Sequence, residues 1–243
     1  MIELPKQKIA PVTENPKRLV IYSKPKVGKT TAFALLENNL ILDFESGSDF
    51  VEALKIKIPT LAHLKEVGTA ILAASKPYKY ITIDTVTALQ DMCLGLALQL
   101  YKDTPMGKSF EGTNVLKLPN GAGYLYLREA FFKIIDYVET LVPDDGCVIL
   151  SGHLTDKMIE SKGKEVSAVE IDLTGKLKSL VCSKADAIGL LTRRKDQVFL
   201  NFKTSDEITC GARPDHLKNQ EILLTELDES GKIKSNWDKI FKN

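Results

Sequence analysis

The chain is 243 residues long, 44% hydrophobic and 27% charged, with a formal net charge of +1. That length accommodates one large domain with a substantial core, and the composition is that of an ordinary globular protein. The near-neutral balance excludes a global basic field for nucleic acid, so any such contact must come from local loops. No apolar run approaches a membrane span, and the four scattered cysteines form no metal-like pair.

Residues 1–16 carry Pro5, Pro11 and Pro16 among Lys and Glu and read as an extended arm. No apolar leader stands at the start, so a cytoplasmic location without membrane contact is expected. Of the four cysteines, Cys93, Cys147, Cys182 and Cys210, three sit in apolar runs, as reduced, buried thiols do.

Arg18–Tyr22 is a β-branched apolar run and reads as a buried strand. It enters a loop ending Gly28-Lys29-Thr30-Thr31, after which Ala32–Leu36 reads as a helix closed by Asn38-Asn39. Strand, phosphate loop and helix form the context that makes a GK[ST] match a nucleotide site. Backbone N–H groups converge there on phosphate oxygens. The expected nucleotide-binding residues are Ser23, Lys26, Val27, Gly28, Lys29, Thr30 and Thr31. Lys29 reaches the β/γ-phosphates, and the Thr30 hydroxyl is placed to ligate Mg²⁺. Ser23 stands where the pattern wants glycine, so the start of the loop is expected to depart from the ideal.

Leu40–Phe44 is the second strand and ends in Asp43-Phe44-Glu45-Ser46-Gly47, with acids at a strand end where ligands bind in open α/β sheets. Leu64, Val67, Ile71 and Ala74 step at helical spacing over 60–75, before Pro77. Tyr80–Asp84 is a third strand whose closing Asp84 matches the Mg²⁺-holding aspartate of the second nucleotide motif. Leu89–Leu100 marks another helix. Residues 102–123 show no period, and a structureless loop of that length is functional or disordered. A clean helical stripe returns over Leu127–Leu141, followed by a fourth strand, Cys147–Leu150, ending Ser151-Gly152-His153.

Residues 154–172 read as two short extended pieces around a turn at 161–164, and Leu173–Val181 as a short helix. Ala187–Thr192 and Gln197–Lys203 form an antiparallel hairpin, with Arg193 and Arg194 in a solvated turn. Ile208–Asp215 leads to a last strand at Glu221–Thr225. The polar tail carries Trp237, Ile240 and Phe241 as a docking patch. The expected organisation is an arm (1–16), an α/β core (17–225) and a short tail (226–243). The core has a mainly parallel sheet, helices on both faces and an antiparallel C-terminal extension.

One large class of NTPases places its water-activating carboxylate directly after the Mg²⁺ aspartate. Here Thr85 fills that position, and Glu45 ends the second strand instead. This arrangement resembles the RecA-like P-loop ATPases. More specifically, GKTT, LDFESG, YITIDT, SGH, the hairpin, IDLTGKL and GARPDHL, spread over 17 to about 225, resemble the phage-encoded RecA-core ATPases that act as single-strand annealing recombinases.

That resemblance implies ATP hydrolysis with Mg²⁺, stimulated by DNA, in the host cytoplasm. Lys29 and Thr30 would bind phosphate and metal, Asp84 would hold Mg²⁺ through water, and Glu45 would deprotonate the attacking water. His153 would sense the γ-phosphate, against a purely structural histidine. Arg213 would reach a neighbour's nucleotide, against a surface arginine. Single-stranded DNA is the implied partner, with a homo-oligomer (filament or ring) and a single-strand-binding protein. The DNA loops would carry Lys108, Phe110, Lys117, Lys157, Lys162 and Lys164, since lysines pair with phosphates and aromatics with bases. Acidic neighbours such as Asp103, Glu111 and Asp156 dilute that charge, as in an ordinary solvated loop. Two other functions fit the motifs: a helicase-loader-type or regulatory ATPase acting on a protein, and a nucleotide-gated binding module that does not hydrolyse.

Overall fold

A computed structural model of the chain describes residues 4, 6–11, 13–161 and 164–242, with the backbone alone at 159–161 and 164–166. The first half runs β1 (Arg18–Ser23), α1 (Lys29–Ala34), β2 (Asn39–Asp43), β3 (Lys55–Lys57), α2 (Leu61–Ala73), β4 (Tyr80–Asp84), α3 (Val86–Lys102) and α4 (Ala122–Glu139). The second half runs β5 (Cys147–Ser161), β6 (Lys164–Ile171), α5 (Leu177–Lys184), β7 (Ala187–Arg194), β8 (Gln197–Asn201), β9 (Gly211–Ala212), β10 (Glu221–Leu227) and β11 (Ile233–Ser235).

The main path of the sheet is β11-β10-β8-β7-β1-β5-β4-β2-β3, with β6 paired to β5 and β9 to β7. From β3 to β7 every pairing is parallel, whereas β8, β10 and β11 add antiparallel strands beyond β7. This is the expected mainly parallel sheet with an antiparallel extension. The central strands are near-continuous apolar runs because both faces are covered. Val20, Tyr22, Ile81, Ile83, Val148 and Leu150 face α2, α3, α4 and α5. The alternate residues Leu19, Ile21, Ile41 and Ile149 face α1 and the C-terminal residues.

Local chemistry sets the element boundaries. Thr60 and Thr85 cap α2 and α3, their hydroxyls accepting from His63 N and Ala88 N. α1 has six residues, too few to stand alone in water, so packing holds it. Trp237 Nε1 donates to Ala32 O at 2.8 Å, and the Trp237 ring lies 6.4 Å from Phe33 and stacks on Phe241 at 5.9 Å.

Several expectations are corrected. α1 ends at Ala34, short of Asn38-Asn39; Asn38 makes a positive-φ turn and Asn39 opens β2. Residues 102–123 are not structureless: two 3₁₀ turns, Val115–Lys117 and Pro119–Gly121, bury Val115 and Leu118 on the core. Glu221–Leu227 is not the last strand, since β11 pairs with it. Trp237, Ile240 and Phe241 are buried in this chain's own core. Residues 154–161 and 164–171 pair as one long antiparallel ribbon, with β5 and β6 in register from Leu154↔Ile171 to Ser161↔Lys164.

Candidate nucleotide site

Strand register gathers the site. Along the carboxyl edge Asp43 pairs with Asp84, Asp84 with Ser151, and Ser23 with His153. The acids that end β2 and β4 and the polar end of β5 therefore meet beside the phosphate loop.

In that loop Lys26 has φ 63° and Gly28 φ 108°. Gly28 is where the conformation requires glycine. Ser23 is not: it ends β1 fully buried, and its hydroxyl donates to Lys24 O at 2.7 Å. The same hydroxyl accepts from Lys29 Nζ at 3.1 Å. The serine that breaks the sequence pattern thus steadies the lysine. Burial lowers the Lys29 pKa, with the charges of Asp84 and Glu45 opposing it.

Thr30 Oγ1 donates to Asp84 Oδ2 at 2.7 Å, and Ser151 Oγ donates to Asp84 Oδ1 at 2.8 Å. Burial raises the Asp84 pKa, against the two hydroxyls and Lys29, which lower it. A hydroxyl beside a buried carboxylate suits Mg²⁺, which keeps most of its waters and takes few protein ligands. Thr30 and Asp84 are the residues that would hold that ion.

Glu45 follows β2, and its Oε1 accepts from Thr85 Oγ1 at 2.5 Å and from His153 Nε2 at 2.8 Å. A carboxylate only accepts, so Nε2 carries the ring proton. His153 Nδ1 is buried without a partner among the described residues. Thr85, in the position that another NTPase class gives to its catalytic acid, here orients Glu45.

Asp43, two residues before Glu45, is closed off. Its Oδ1 accepts from Glu45 N at 3.1 Å and Gly47 N at 3.2 Å, and its Oδ2 from Ser48 N at 3.0 Å and Ser48 Oγ at 2.5 Å. Burial alone would raise its pKa, but the Ser48 hydroxyl and the backbone N–H groups outweigh that and lower it. Asp43 shapes the loop that presents Glu45.

Other expected site residues lie elsewhere. Arg213 is at the amino end of the sheet, its Nη1 donating to Asp186 Oδ1 at 3.0 Å and its Nη2 to Ser183 O at 2.9 Å. Phe110 packs edge-on against Tyr101 at 5.4 Å. Lys108, Lys117 and Lys157 are exposed. Lys162 and the side chain of Lys164 lie outside the described residues. Sequence reasoning missed Thr85 and Ser151, whose only signal is position beside Asp84 and within SGH. Arg193, expected in a solvated turn, is exposed, and its guanidinium lies against Gly28, with Nη1 3.8 Å from where a side chain there would begin.

Among the described residues no helix is long and apolar enough to cross a membrane. No curated protein matches the chain. Among solved structures, a KaiC-like protein from the hyperthermophilic archaeon Pyrococcus horikoshii OT3 is similar over 90% of this chain and 89% of its own. The identity is 12% and the TM-score 0.45. A family model described as an AAA domain matches residues 15–214. That match takes in the phosphate loop, Glu45, Asp84 and His153, and the chain belongs to the AAA domain family of P-loop nucleotide-binding proteins.

Proposed function

We propose that the chain hydrolyses ATP with Mg²⁺, using Glu45 as the base, and that it binds single-stranded DNA to promote annealing or homologous recombination. The observation that carries the hydrolysis is the suspension of Glu45. Oε1 is held by Thr85 and His153, while Oε2 has no hydrogen bond within the described residues and is free to take a proton from water. Phosphoryl transfer needs mainly positioning and charge. Lys29 and the loop N–H groups position the phosphates, Thr30 and Asp84 hold the metal's place, and Glu45 orients the water. Bound Mg²⁺ supplies neutralisation of phosphate charge. The test is Glu45→Gln, which should bind Mg·ATP nearly normally and hydrolyse it ~10²–10⁴-fold more slowly. Hydrolysis at the normal rate overturns the assignment.

DNA binding is supported by the motif resemblance and by one strand. β5 runs without a break from the sheet core through His153 into the β5–β6 hairpin, which exposes Lys157 and Met158. A strand held on that hairpin would pull on the residue that holds Glu45. Titration of a labelled single strand with and without ATP should show affinity that falls as salt rises; no binding at low salt removes the DNA role and favours a protein-directed ATPase. Arg213, on the sheet edge away from its own phosphate loop, would act only on a neighbouring subunit's nucleotide, in the expected homo-oligomer.

A further inference from the structure

The loop that follows β2 is braced from within and turns its largest apolar side chain outward. Asp43 accepts from three of its N–H groups. Lys55 Nζ donates to Ser48 O at 2.5 Å and to Val51 O at 2.7 Å, and Asp49 pairs with Lys57 at 2.7 Å. On this fixed loop Phe50 is fully exposed, and Leu54 is 52% exposed. Residues 45–54 hold three acids, Glu45, Asp49 and Glu52, and no cation. A stretch of that charge repels a phosphate backbone, so the ring is poorly placed to stack on nucleic acid bases.

The other flank of the sheet carries a matching hollow. A cavity of about 500 Å³ opens between β6, β7 and the start of the phosphate loop, with Val27, Leu154, Val169, Leu190 and Ile208 among its walls. Its lining includes Lys24 and Arg193 against the single acid Glu207, all three exposed. Arg193 Nε donates to Lys195 O at 3.0 Å, and Arg194 beside it is paired with Glu221. Neither Lys24 nor Arg193 has a carboxylate within ion-pair distance among the described residues. In the order β7-β1-β5-β4-β2-β3 the cavity and the Phe50 loop stand at least four strand spacings apart, about 19 Å. A braced loop cannot cross that distance, so one copy cannot fill its own cavity.

We propose that these surfaces are the two halves of one contact between copies of this chain: Phe50 of one copy seats in the cavity of the next, and Glu52 faces Lys24 and Arg193. An enclosed aromatic ring buries about 150–250 Å², and the acid against the unpaired cations fixes orientation. A standard interface covers about 1,600 Å², so Phe50 acts as its anchor rather than its whole extent. The two surfaces differ, so the contact is head-to-tail and repeats until it closes a ring or extends a filament. Val27 walls the cavity and Phe50 stands five residues after Glu45, which brings the Glu45 loop of one copy beside the phosphate loop of the next. This contact deepens the proposed homo-oligomer by naming the surfaces that meet, and it requires no nucleotide.

The test is sedimentation of the full chain over a concentration series. The parent should gain mass with concentration and pass beyond a dimer. Phe50→Ala should keep the parent's melting temperature, since the ring is solvated in the single chain, and should raise the concentration needed for assembly about ten-fold or more. Lys24→Glu with Arg193→Glu should do the same from the cavity side. Mixed where each is monomeric alone, the two variants should form a one-to-one pair and nothing larger, because the first keeps its cavity and the second its Phe50. A parent that stays monomeric or stops at a dimer, assembly indifferent to Phe50→Ala, or a mixture that forms no pair overturns the contact. Weaker binding of a labelled single strand by Phe50→Ala, with assembly unchanged, overturns it in favour of nucleic acid. ATP affinity on the same samples keeps the readings apart: a parent that assembles without binding ATP removes the nucleotide site and leaves the contact standing.

Discussion

The two ends of the parallel sheet carry similar charged residues and use them in opposite ways. At the amino end Arg18 and Asp186 are answered inside the chain. Arg18 Nε donates to Glu139 at 2.5 Å and its Nη2 to Asp136 at 3.5 Å. Asp186 accepts from Lys17 N at 3.0 Å, Arg18 N at 3.2 Å and the Arg213 guanidinium at 3.0 Å. At the carboxyl end Lys29, 8% exposed, finds only the Ser23 hydroxyl, at 3.1 Å, and no carboxylate within ion-pair distance among the described residues. Asp84 is held by two hydroxyls rather than by a cation. A buried charge with a partner belongs to the fold, and one left with dipoles is arranged for a ligand that brings the missing charge.

The sharpest way to break this contrast is to remove one cation from each end. Lys29→Ala should lower ATP affinity by about a hundred-fold or more, since a charge-assisted contact to phosphate has no substitute in the loop, while leaving the melting temperature at or above that of the parent. Arg18→Ala should do the reverse. It removes the ion pairs to Glu139 and Asp136 and the buried stem of Arg18 and should cost about 1–2 kcal/mol of stability, with ATP affinity unchanged in calorimetry. Equal effects of the two substitutions on both readouts would dissolve the distinction.

A smaller effect sharpens it. Burial raises the folded-state pKa of Asp84, so its stabilising contribution is complete below the unfolded value and is lost as pH rises through the folded one. Ionised Asp84 therefore costs the ligand-free fold stability at neutral pH. Asp84→Asn should raise the ligand-free melting temperature at pH 7 and abolish Mg²⁺-dependent hydrolysis. The gain should shrink as pH falls and vanish below pH ~3, where the parent carboxyl is protonated in both states. Asp43 has the opposite sign: its lowered pKa gives stability above the unfolded value that is lost as pH falls through the folded one. A thermal melt series of the two Asn variants across pH reads both signs, and a lowered neutral-pH melting temperature for Asp84→Asn refutes the first.

The elements legible in the sequence are those whose burial is written in apolar runs. Leu19–Tyr22, Leu40–Leu42, Ile81–Ile83 and Val148–Leu150 lie inside the sheet, and their ends carry the phosphate loop, Glu45, Asp84 and His153. Lys55–Lys57 and Ile233–Ser235 escaped because they are three-residue edge strands with one apolar side chain each among charged or polar ones. Asp43 and Glu45 look alike in sequence. They part only when the turn through Ser46, at φ 59°, aims three N–H groups at Asp43. Arg193 reads as a solvated turn residue because nothing local shows that its hairpin folds back over Gly28. Trp237 reads as a tail residue because its partner, Ala32, lies far away in the chain.

That last distance has a consequence for how the protein comes into being. Trp237 clasps the outer face of α1 from 205 residues downstream. A ribosome working at about 5–20 residues per second releases the phosphate loop ~10–40 s before the residue that braces it. Through that interval the nascent chain carries a nucleotide-binding motif on a helix too short to persist, and it cannot close on ATP. Ligand capture becomes a late event in biogenesis, and a chain cut or fused just upstream of Trp237 should emerge with its motif intact and its site unmade.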